Sequence, residues 1–513
     1  MSLWSILERA RRLHPDRPAV GDDGRALSYT TLGVRVDALA HRLVSLGLRP
    51  GDRVATLLPN GLPFLESYFA AAGAGLILVP LNTRLTASDL GFILRDSGST
   101  VLLADPRLAP LAQAALAEAP EVGQVVWAGA VPEAPGGTVG QEWPEPSGQS
   151  FVSVATPMEH VAHLYYTSGT TGPPKGVMLT HRNVWVHALA AIAELELRET
   201  DVWAHIAPMF HLADAWATFA ITWVGGRHVM VPGFEPGEAL ATLEHEGITI
   251  TNLVPTMLNL MVKHPSATER HYPALRRILS GGAPIAPAVV EAIINVFRCE
   301  YVQTYGMTET SPYLTLSLLK HHLRALPPAA RLRYQAKTGR PFLGVELRLV
   351  DEAGAVVAAD ERTVGEIQVR GETVTPGYWR RPDATAAAFT PDGWLRTGDL
   401  AVVDHEGYVS IVDRKKDMII SGGEKIYSTE VEAVLYRHPA ILEAAVYGSA
   451  DAVWGEVVSA AVVLRAGTRL TETEVVDFCR PQLAGFKLPR LVRFLTELPK
   501  TGSGKILKRA LAH

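Results

Sequence analysis

The stretch YYTSGTTGPPKGVMLTHRN, residues 165–183, gathers hydroxyl side chains, glycines and a lysine between a strand-like and a helix-like segment. The glycines let the backbone curl so that its N–H groups can converge on an anion. Lys175 adds a positive charge suited to a phosphate group. The spacing fits neither a Walker A loop, because Gly176 follows the lysine, nor a dinucleotide fingerprint, of which Gly169 and Gly172 supply half. The stretch predicts a phosphate-binding loop of another kind, since a polar turn with a solvated lysine explains this density of features poorly.

Short apolar runs alternate with helical patterns along the rest of the chain. The runs that predict strands include RVATLLP (53–59), LILVPLN (76–82), TVLLAD (100–105) and VVWAG (125–129). Helical patterns rich in alanine and leucine separate them. This alternation is typical of an α/β protein with largely parallel sheets. A chain of 513 residues is also expected to form two or more compact units.

The charged turn DRKKD, residues 413–417, lies between two apolar strand-like runs and is the best candidate for a domain boundary. After it, LEAAVYGSAD, VVSAAVVL and a helical pattern from Thr471 suffice for a small α/β unit of about 100 residues. We therefore expect a large N-terminal domain of layered sheets and helices over residues 1–415. A small C-terminal α/β domain is expected over residues 416–513.

Composition excludes several classes of partner. A formal net charge of −5 gives no electrostatic reason to expect nucleic acid or an anionic membrane. The longest apolar run, residues 67–80, is too short for a transmembrane segment, which needs roughly 20 residues. The N-terminal stretch SLWSILERARRLHPDRP predicts an amphipathic surface helix rather than a signal peptide. Cys299 and Cys479 match no metal or redox spacing, so we expect buried thiols in a soluble, cytoplasmic protein. The sequence leaves open whether the protein forms a homodimer.

Three further motifs carry groups suited to nucleotide chemistry. The segment YVQTYGMTET runs from a strand into a polar turn that bears Glu309, and a carboxylate beside a triphosphate commonly holds Mg²⁺. WLRTGDL sets Asp399 after a glycine, where a carboxylate can accept both hydroxyls of a ribose. TGSGKILKR also fails the Walker A pattern and predicts a turn that presents Lys505.

Together these motifs resemble the adenylate-forming superfamily, which includes acyl-CoA synthetases, adenylation domains of peptide synthetases and firefly-type luciferases. The matching blocks stand in the family's order over residues 166–509: YTSGTTGPPKGV, PMFH, SGGAP, YGMTE, GEIQVRG, WLRTGDL, DRKKDMIISGGEKIYSTEVE and PKTGSGKILKR. The resemblance implies ATP, Mg²⁺ and coenzyme A as cofactors or co-substrates and a small-molecule carboxylic acid as substrate. It also implies that the small C-terminal domain is mobile.

The resemblance assigns roles to named residues. The β- and γ-phosphates of ATP would be held by the opening loop, with Thr167, Ser168, Gly169, Thr170, Thr171, Gly172 and Lys175. The rest of the nucleotide would be held by Gly281, Gly282, Ala283, Pro284, Gln303, Thr304, Tyr305, Gly306, Met307, Asp399 and Arg414, with Tyr305 on the base and the last two on the ribose. Mg²⁺ would lie on Glu309 and Thr170, Thr308 would contact the α-phosphate, and Lys505 would reach the acid and the α-phosphate.

The same resemblance places coenzyme A and the hinge. Gly423 would border the pantetheine tunnel, and Trp454 and Phe486 match aromatic positions near the nucleotide of coenzyme A, although core packing explains each aromatic equally well. Lys416 matches the hinge position. Lys425 and Ser428 stand where relatives more often have Asn and Pro. Leu488 replaces a basic residue that some relatives use for the phosphates of coenzyme A; Lys487 and Arg490 are candidate substitutes.

The substrate expected is a carboxylic acid with an uncharged acyl tail. His211 occupies the position at which amino-acid-activating relatives have Asp, so it would form part of the acyl pocket wall and could gate entry of coenzyme A. With Trp223 and residues 254–257 and 305–307 as further wall, a medium- or long-chain fatty acid is favoured. An aryl or short branched acid, a fatty-acyl-AMP ligase serving another acceptor, and a non-enzymatic nucleotide-binding scaffold are the alternatives. The segment 318–341 could cover the acyl site.

Overall fold

A computed structural model describes residues 2–22, 25–132, 139–167, 173–283, 285, 287–500 and 506–511. Its helices are α1 Trp4–Leu13, α2 Tyr29–Ser45, α3 Leu62–Gly73, α4 Ala87–Ser97, α5 Ala109–Ala117, α6 His181–Leu195, α7 Leu212–Val224, α8 Pro236–His245, α9 Pro255–Lys263, α10 Pro287–Phe297, α11 Pro328–Gln335, α12 Pro382–Ala388, α13 Ser428–Leu435 and α14 Glu472–Cys479. Several begin at side chains that cap their first N–H groups. In α6, for example, Thr180 and Asn183 bond to each other's backbone N–H.

The strands of the described residues form four sheets. They are β1 Pro18–Asp22, β2 Arg25–Ser28, β3 Arg53–Leu57, β4 Ile77–Pro80, β5 Ser99–Ala104, β6 Gln124–Trp127, β7 Val139–Glu142, β8 Val161–Thr167, β9 Lys175–Thr180, β10 Val202–His205, β11 Arg227–Met230, β12 Ile250–Leu253, β13 Arg277–Ser280, β14 Glu300–Gly306, β15 Tyr313–Leu316, β16 Arg340–Pro341, β17 Val345–Val350, β18 Gly365–Gly371, β19 Leu395–Val403, β20 Val409–Arg414, β21 Ile419–Ser421, β22 Glu424–Ile426, β23 Ile441–Asp451, β24 Gly455–Leu464 and β25 Leu491–Phe494. The α/β class predicted from the sequence is confirmed, with a large N-terminal part and a smaller C-terminal part.

The largest sheet places the ends of three parallel strands side by side. Its order is β16-β15-β14-β13-β12-β10-β11-β1-β2. The final residues of β12 and β13 are in register, with Leu253 opposite Ser280, and Ser280 lies opposite Gln303, three residues before the end of β14. Because the carboxyl ends of parallel strands meet at one edge of a sheet, the loops after these strands converge there.

A second sheet, ordered β7-β6-β5-β3-β4-β8-β9, holds the opening stretch. Strands β8 and β9 are an antiparallel pair in which Thr167 lies opposite Lys175. The loop between them, residues 168–172, lies outside the described residues. The apolar run over residues 67–80 forms the buried helix α3 followed by β4, as the sequence predicted.

Two smaller sheets form the C-terminal third of the chain. Strands β17-β18-β19-β20 make one, and β21 to β25 make the other, which is covered by α13 and α14. The charged turn DRKKD joins them, since β20 ends at Arg414 and β21 begins at Ile419. Across this turn the buried carboxylate of Asp413 accepts hydrogen bonds from the backbone N–H and the hydroxyl of Ser428. The boundary after residue 415 stays a prediction.

The structure adds detail on two local expectations. Trp223 stands at the far end of α7 from His211, and its ring lies 4.2 Å from that of Trp185, so its place in the pocket wall stays a prediction. The segment 318–341 contains a short 3₁₀ turn and α11, and Lys337 pairs with Asp404 at 2.6 Å near the β19–β20 turn. Among the described residues, no helix combines the length and apolar character that a membrane crossing requires.

Candidate active site

Glu309 lies in a 3₁₀ turn directly after β14, at the edge where the parallel strands end. The hydroxyl of Tyr378 donates to Glu309 Oε1 at 2.9 Å, and the N–H of Thr375 donates to the Glu309 carbonyl at 2.8 Å. Burial, followed by the nearby carboxylate, raises the pKa of Tyr378, so this phenol stays a hydrogen-bond donor at neutral pH. Glu309 is therefore fixed through its side chain by Tyr378 and through its backbone by Thr375.

Lys175 approaches the same tyrosine from the other sheet. Its Nζ lies 5.3 Å from the centroid of the Tyr378 ring, and Val177 forms a β-bridge with Tyr378. A cation from the opening stretch and the carboxylate of Glu309 thus flank one aromatic side chain. This arrangement suits a polyphosphate and its divalent cation, because Mg²⁺ binds through few protein oxygens while a lysine neutralises phosphate charge.

The side chains around Glu309 agree with a Mg²⁺ ion that binds through few protein oxygens. Among the residues described, no group of three or more His, Cys, Asp or Glu side chains is placed to hold a metal. Glu309, a buried carboxylate beside a cation, supplies the oxygen ligands that Mg²⁺ prefers. The residues present therefore fit Mg²⁺ carried by a phosphate chain and not a resident metal cage.

A second polar group surrounds Asp399. Tyr305 donates to Asp399 Oδ2 at 2.6 Å, and Arg414 Nε lies 3.5 Å from Oδ1. Antiparallel pairing of β19 with β20 sets Asp399 opposite Arg414, so the sheet register itself creates this pair. Burial and then the carboxylate raise the pKa of Tyr305. The carboxylate and the guanidinium offer an acceptor and a donor to a sugar bearing two hydroxyls.

The glycine-rich block after β13 lies against β14. A side chain at Gly281 would place its Cβ 2.2 Å from Thr304 Oγ1, and Gly282 has φ +86°. Gln303 Nε2 donates to the Ala283 carbonyl at 3.3 Å. Gly306 has the same kind of constraint, since a Cβ there would lie 1.8 Å from the Pro312 carbonyl oxygen. These close approaches explain the glycines and bring the predicted nucleotide residues of β13 and β14 together.

His211 stands at the N-terminus of α7, beside the ring of Phe210. Asp214, in the first turn of the helix, is fully buried. Its carboxylate accepts from Trp203 Nε1 at 3.2 Å and pairs with His205 Nδ1 at 2.5 Å. Asp214 therefore belongs to the core and is not presented to the ammonium group of an amino acid.

Residues predicted for coenzyme A lie on the C-terminal part. Trp454 and Phe486 are 44% and 47% exposed, so core packing does not explain them. Arg490 stacks over the Trp454 ring at 4.9 Å. Lys487 Nζ lies 5.6 Å from the Phe486 ring centroid and 2.8 Å from the Glu430 carboxylate. Each exposed ring therefore has a cation beside it, a combination suited to a phosphorylated nucleotide.

Other predicted residues complete the account. Thr308 and Glu309 lie in the same 3₁₀ turn, and Met307 directly precedes that turn. Gly423 has φ +88° in the turn between β21 and β22. The predicted residues Ser168, Gly169, Thr170, Thr171, Gly172, Pro284 and Lys505 lie outside the described residues.

Sequence reasoning did not single out Tyr378. It follows the GEIQVRG block in the segment TPGYW, whose Thr375 and Gly377 shape a turn through the Thr375 hydroxyl. A polar aromatic residue directly after a Pro-Gly turn was the signal available in the sequence.

Comparison with known proteins agrees with this geometry. The family model described as AMP-binding enzyme matches residues 7–379, and the model of the AMP-binding enzyme C-terminal domain matches residues 430–505. A feruloyl-CoA synthase of an Amycolatopsis species is 40% identical, covering 98% of this chain and 97% of that protein. A long-chain-fatty-acid–CoA ligase of Thermus thermophilus is 38% identical, covering 100% of this chain and 95% of that protein.

A solved structure is similar over the whole chain. The o-succinylbenzoate coenzyme A synthetase from Bacillus subtilis, in complex with ATP and magnesium ion, has a TM-score of 0.84 and 30% identity, covering 100% of this chain and 99% of that chain. Family models, relatives and fold thus agree with the polar groups around Glu309 and Asp399. This chain belongs to the AMP-binding enzyme family, and within the adenylate-forming superfamily it is an acyl-CoA synthetase of the AMP-forming type.

Proposed function

We propose that this chain converts a carboxylic acid, ATP and coenzyme A into an acyl-CoA, AMP and pyrophosphate through an acyl-adenylate. The observation that carries the proposal is the placement of Glu309 and Lys175 on either side of Tyr378. This pair is suited to the phosphate chain. Asp399, with Tyr305 and Arg414, offers the sugar-binding group close by.

The first half-reaction joins the acid to AMP. A carboxylate oxygen of the acid bonds to the α-phosphorus while the bond to pyrophosphate breaks. Negative charge gathers at that phosphorus, so cationic groups nearby stabilise the transition state. Mg²⁺, when bound, would supply part of the positive charge that stabilises this transition state, and Glu309 is the residue that would hold it. Lys505 is proposed to supply the remainder, and Thr308 to contact the α-phosphate.

The second half-reaction uses the good leaving group made in the first. The thiol sulfur of coenzyme A bonds to the acyl carbon, the bond from that carbon to the phosphate oxygen breaks, and AMP leaves with the electron pair. The thiol proton passes to solvent or to the departing phosphate. We place coenzyme A along Gly423, with its nucleotide against Trp454 and Phe486, because both rings are exposed on one part of the chain.

The acid is proposed to be uncharged beyond its carboxylate. Asp214 is committed to Trp203 and His205, so it leaves no carboxylate for an ammonium group. A medium- or long-chain fatty acid was favoured by the sequence. The wall beside Gly306 is nevertheless aromatic, with the ring of Tyr313 5.3 Å from that of Trp216, and this favours an aryl acid as the second candidate. Cytoplasmic location and dimerisation stay predictions.

The test is a screen of AMP release over fatty, aryl and short branched acids, with and without coenzyme A. A thioester that forms only when ATP and coenzyme A are both present supports the proposal. Exchange of labelled pyrophosphate into ATP, dependent on the acid, isolates the first half-reaction. Acyl-AMP that accumulates and that coenzyme A never consumes would contradict the proposal and favour another acceptor. Lack of exchange with every acid would favour a nucleotide-binding scaffold.

A further inference from the structure

The buried region between the start of α7 and the ends of β12 and β14 contains polar groups that neither half-reaction uses. Asn252, in β12, is 2% exposed, and its Nδ2 donates to the Ala213 carbonyl at 2.8 Å. Since a carbonyl can only accept, the amide must face it with its nitrogen. The Asn252 Oδ1 atom is then left buried, and among the described residues it has no hydrogen-bond partner.

Tyr313, at the start of β15, presents a second such group. The residue is 2% exposed, and its hydroxyl likewise has no hydrogen-bond partner in the part of the chain that the structure describes. Trp216 Nε1 and Thr304 Oγ1 lie near enough to lower the pKa of this hydroxyl, but their own hydrogens are directed at the Ala213 carbonyl at 3.0 Å and the Ser280 carbonyl at 3.1 Å.

Trp216 connects the two unpartnered atoms. Its indole shares the Ala213 carbonyl with Asn252, and its ring centroid lies 5.3 Å from that of Tyr313. Between β12 and β14, strand β13 ends at Ser280, and space remains open at Gly282, where an added Cβ would meet only Val254 Cγ1, at 3.9 Å, among the described residues. Tyr313 is also paired with Gly306, three positions before Glu309. The buried region therefore adjoins the turn at which the acid would react.

Buried electrostatics favour a hydrogen-bond donor from the substrate. Asn252 Oδ1 is an acceptor, and the buried carboxylate of Asp214 lies close enough to act on Tyr313. Burial raises the pKa of Tyr313, and Asp214 adds to that rise, so the phenol is neutral and able to donate. An alkyl chain would leave both polar atoms unpaired, whereas a hydroxyl group can donate and accept.

We propose that Asn252 Oδ1 and the Tyr313 hydroxyl are the hydrogen-bonding end of the acid pocket, and that the preferred substrate is an aryl carboxylic acid with a hydroxyl group on its ring. The inference rests on the proposed function and replaces the fatty acid that the sequence favoured. The ring packs against Trp216 and Tyr313, and its hydroxyl satisfies one or both buried atoms. A site built around a substrate hydroxyl discriminates strongly against the analogue that lacks it.

The test compares kcat/KM for a ring-hydroxylated cinnamic acid, its deoxy analogue and a saturated fatty acid of similar length. The wild type is expected to prefer the hydroxylated acid over the deoxy acid by about 10- to 100-fold. Tyr313→Phe and Asn252→Leu should each lower this ratio by about tenfold. The Ala213 carbonyl keeps its Trp216 donor in Asn252→Leu, so that variant tests the orphaned oxygen itself.

Tyr272→Phe is the matched control. Its hydroxyl donates to the Ala267 carbonyl at 3.3 Å in a different hydrophobic cluster, so this variant should keep the wild-type ratio. A wild-type ratio near one, or a fatty acid preferred over both aryl acids, would overturn the inference while leaving ligation to coenzyme A intact. Equilibrium binding of the same acid pair gives the ratio without catalysis, so the inference is decided even if ligation fails. If Tyr313→Phe does not fold, Asn252→Leu and the wild-type ratio decide it.

Discussion

The hydroxyl of Tyr378 donates to Glu309 Oε1 at 2.9 Å, although the two residues stand 69 positions apart in the chain. Tyr378→Phe removes the donor and keeps the ring beside Lys175. We expect kcat/KM for Mg-ATP to fall about tenfold, because a hydrogen bond to a charged group contributes about 1.5–3 kcal/mol. Titration of Mg²⁺ in the pyrophosphate exchange assay measures the effect. Raised Mg²⁺ should restore part of the activity; an unchanged Mg²⁺ dependence would show that Tyr378 does not position Glu309.

Arg490 is expected to serve coenzyme A better than Lys487 does. Its guanidinium lies over Trp454, whereas the ammonium of Lys487 is 2.8 Å from Glu430. Arg490→Ala should raise KM for coenzyme A about fivefold, as suits a partly exposed ion pair with a phosphate, and leave pyrophosphate exchange unaltered. Steady-state titration with coenzyme A and dephospho-coenzyme A measures this. Lys487→Ala is the matched control, with a smaller effect. An equal penalty with dephospho-coenzyme A would place Arg490 away from the 3′-phosphate.

Lys505 is expected to act in only one of the two half-reactions. Lys505→Ala should lower the rate of adenylation by about 10²–10³, by analogy with the loss of an oxyanion-hole donor. Thioester formation from supplied acyl-AMP should stay largely intact. Lys500→Ala, which removes only a surface pair with Glu443, is the control and should leave both rates unchanged. Equal losses in both half-reactions would refute separate conformations for the two steps.

Buried histidines predict loss of stability in mild acid. Burial lowers the pKa of His187 to about 3, with the rings of Trp216, Tyr313 and Phe342 around it. The unfolded state, with a pKa of about 6.5, binds the proton that the folded state refuses. Neutral His187 therefore makes its full contribution to the free energy of unfolding above pH ~6.5, and this contribution is lost as the pH falls towards ~3. Between pH 7 and pH 5 this residue alone should cost about 2 kcal/mol of the free energy of unfolding.

Urea unfolding of His187→Phe at the two pH values measures that slope. The variant should lose less stability on acidification than the wild type, even if the missing acceptor for the Tyr313 N–H lowers its stability at pH 7. His405→Ala, at an exposed position, should keep the wild-type slope. A full wild-type slope in His187→Phe would assign the acid sensitivity to other groups.

Local patterns in the sequence were sufficient for the strands and for the residues that stand in motif blocks. Glu309 and Asp399 could be predicted because each follows a strand in a short polar turn, and the structure places both beside polar partners. Tyr378 could not, because its contact with Glu309 depends on a β-bridge from Val177 in another sheet. Asn252 and Tyr313 were missed because an unpaired polar atom is visible only once every neighbour has a position.

Trp223 shows how helix geometry limits such a prediction. The sequence named it as pocket wall together with His211, and twelve residues of helix at about 1.5 Å each separate the two positions by about 18 Å. The medium- or long-chain fatty acid was favoured because the expected wall residues are mostly apolar, and it stays a prediction. Counting apolar residues ignores buried polar atoms such as Asn252 Oδ1, on which our alternative proposal rests.

The bond between Asp413 and Ser428 has a kinetic consequence. It depends on a backbone N–H at position 428, which a proline would lack. Burial raises the pKa of Asp413, so its carboxylate depends on such donors for stabilisation. A rotation of the C-terminal part about the turn between these two residues must first break this hydrogen bond. It must also break the hydrogen bond from the Thr429 hydroxyl to the Val412 carbonyl. For a C-terminal part that rotates between the two half-reactions, as the resemblance implies, Ser428 therefore adds the cost of breaking these bonds to the barrier of that rotation.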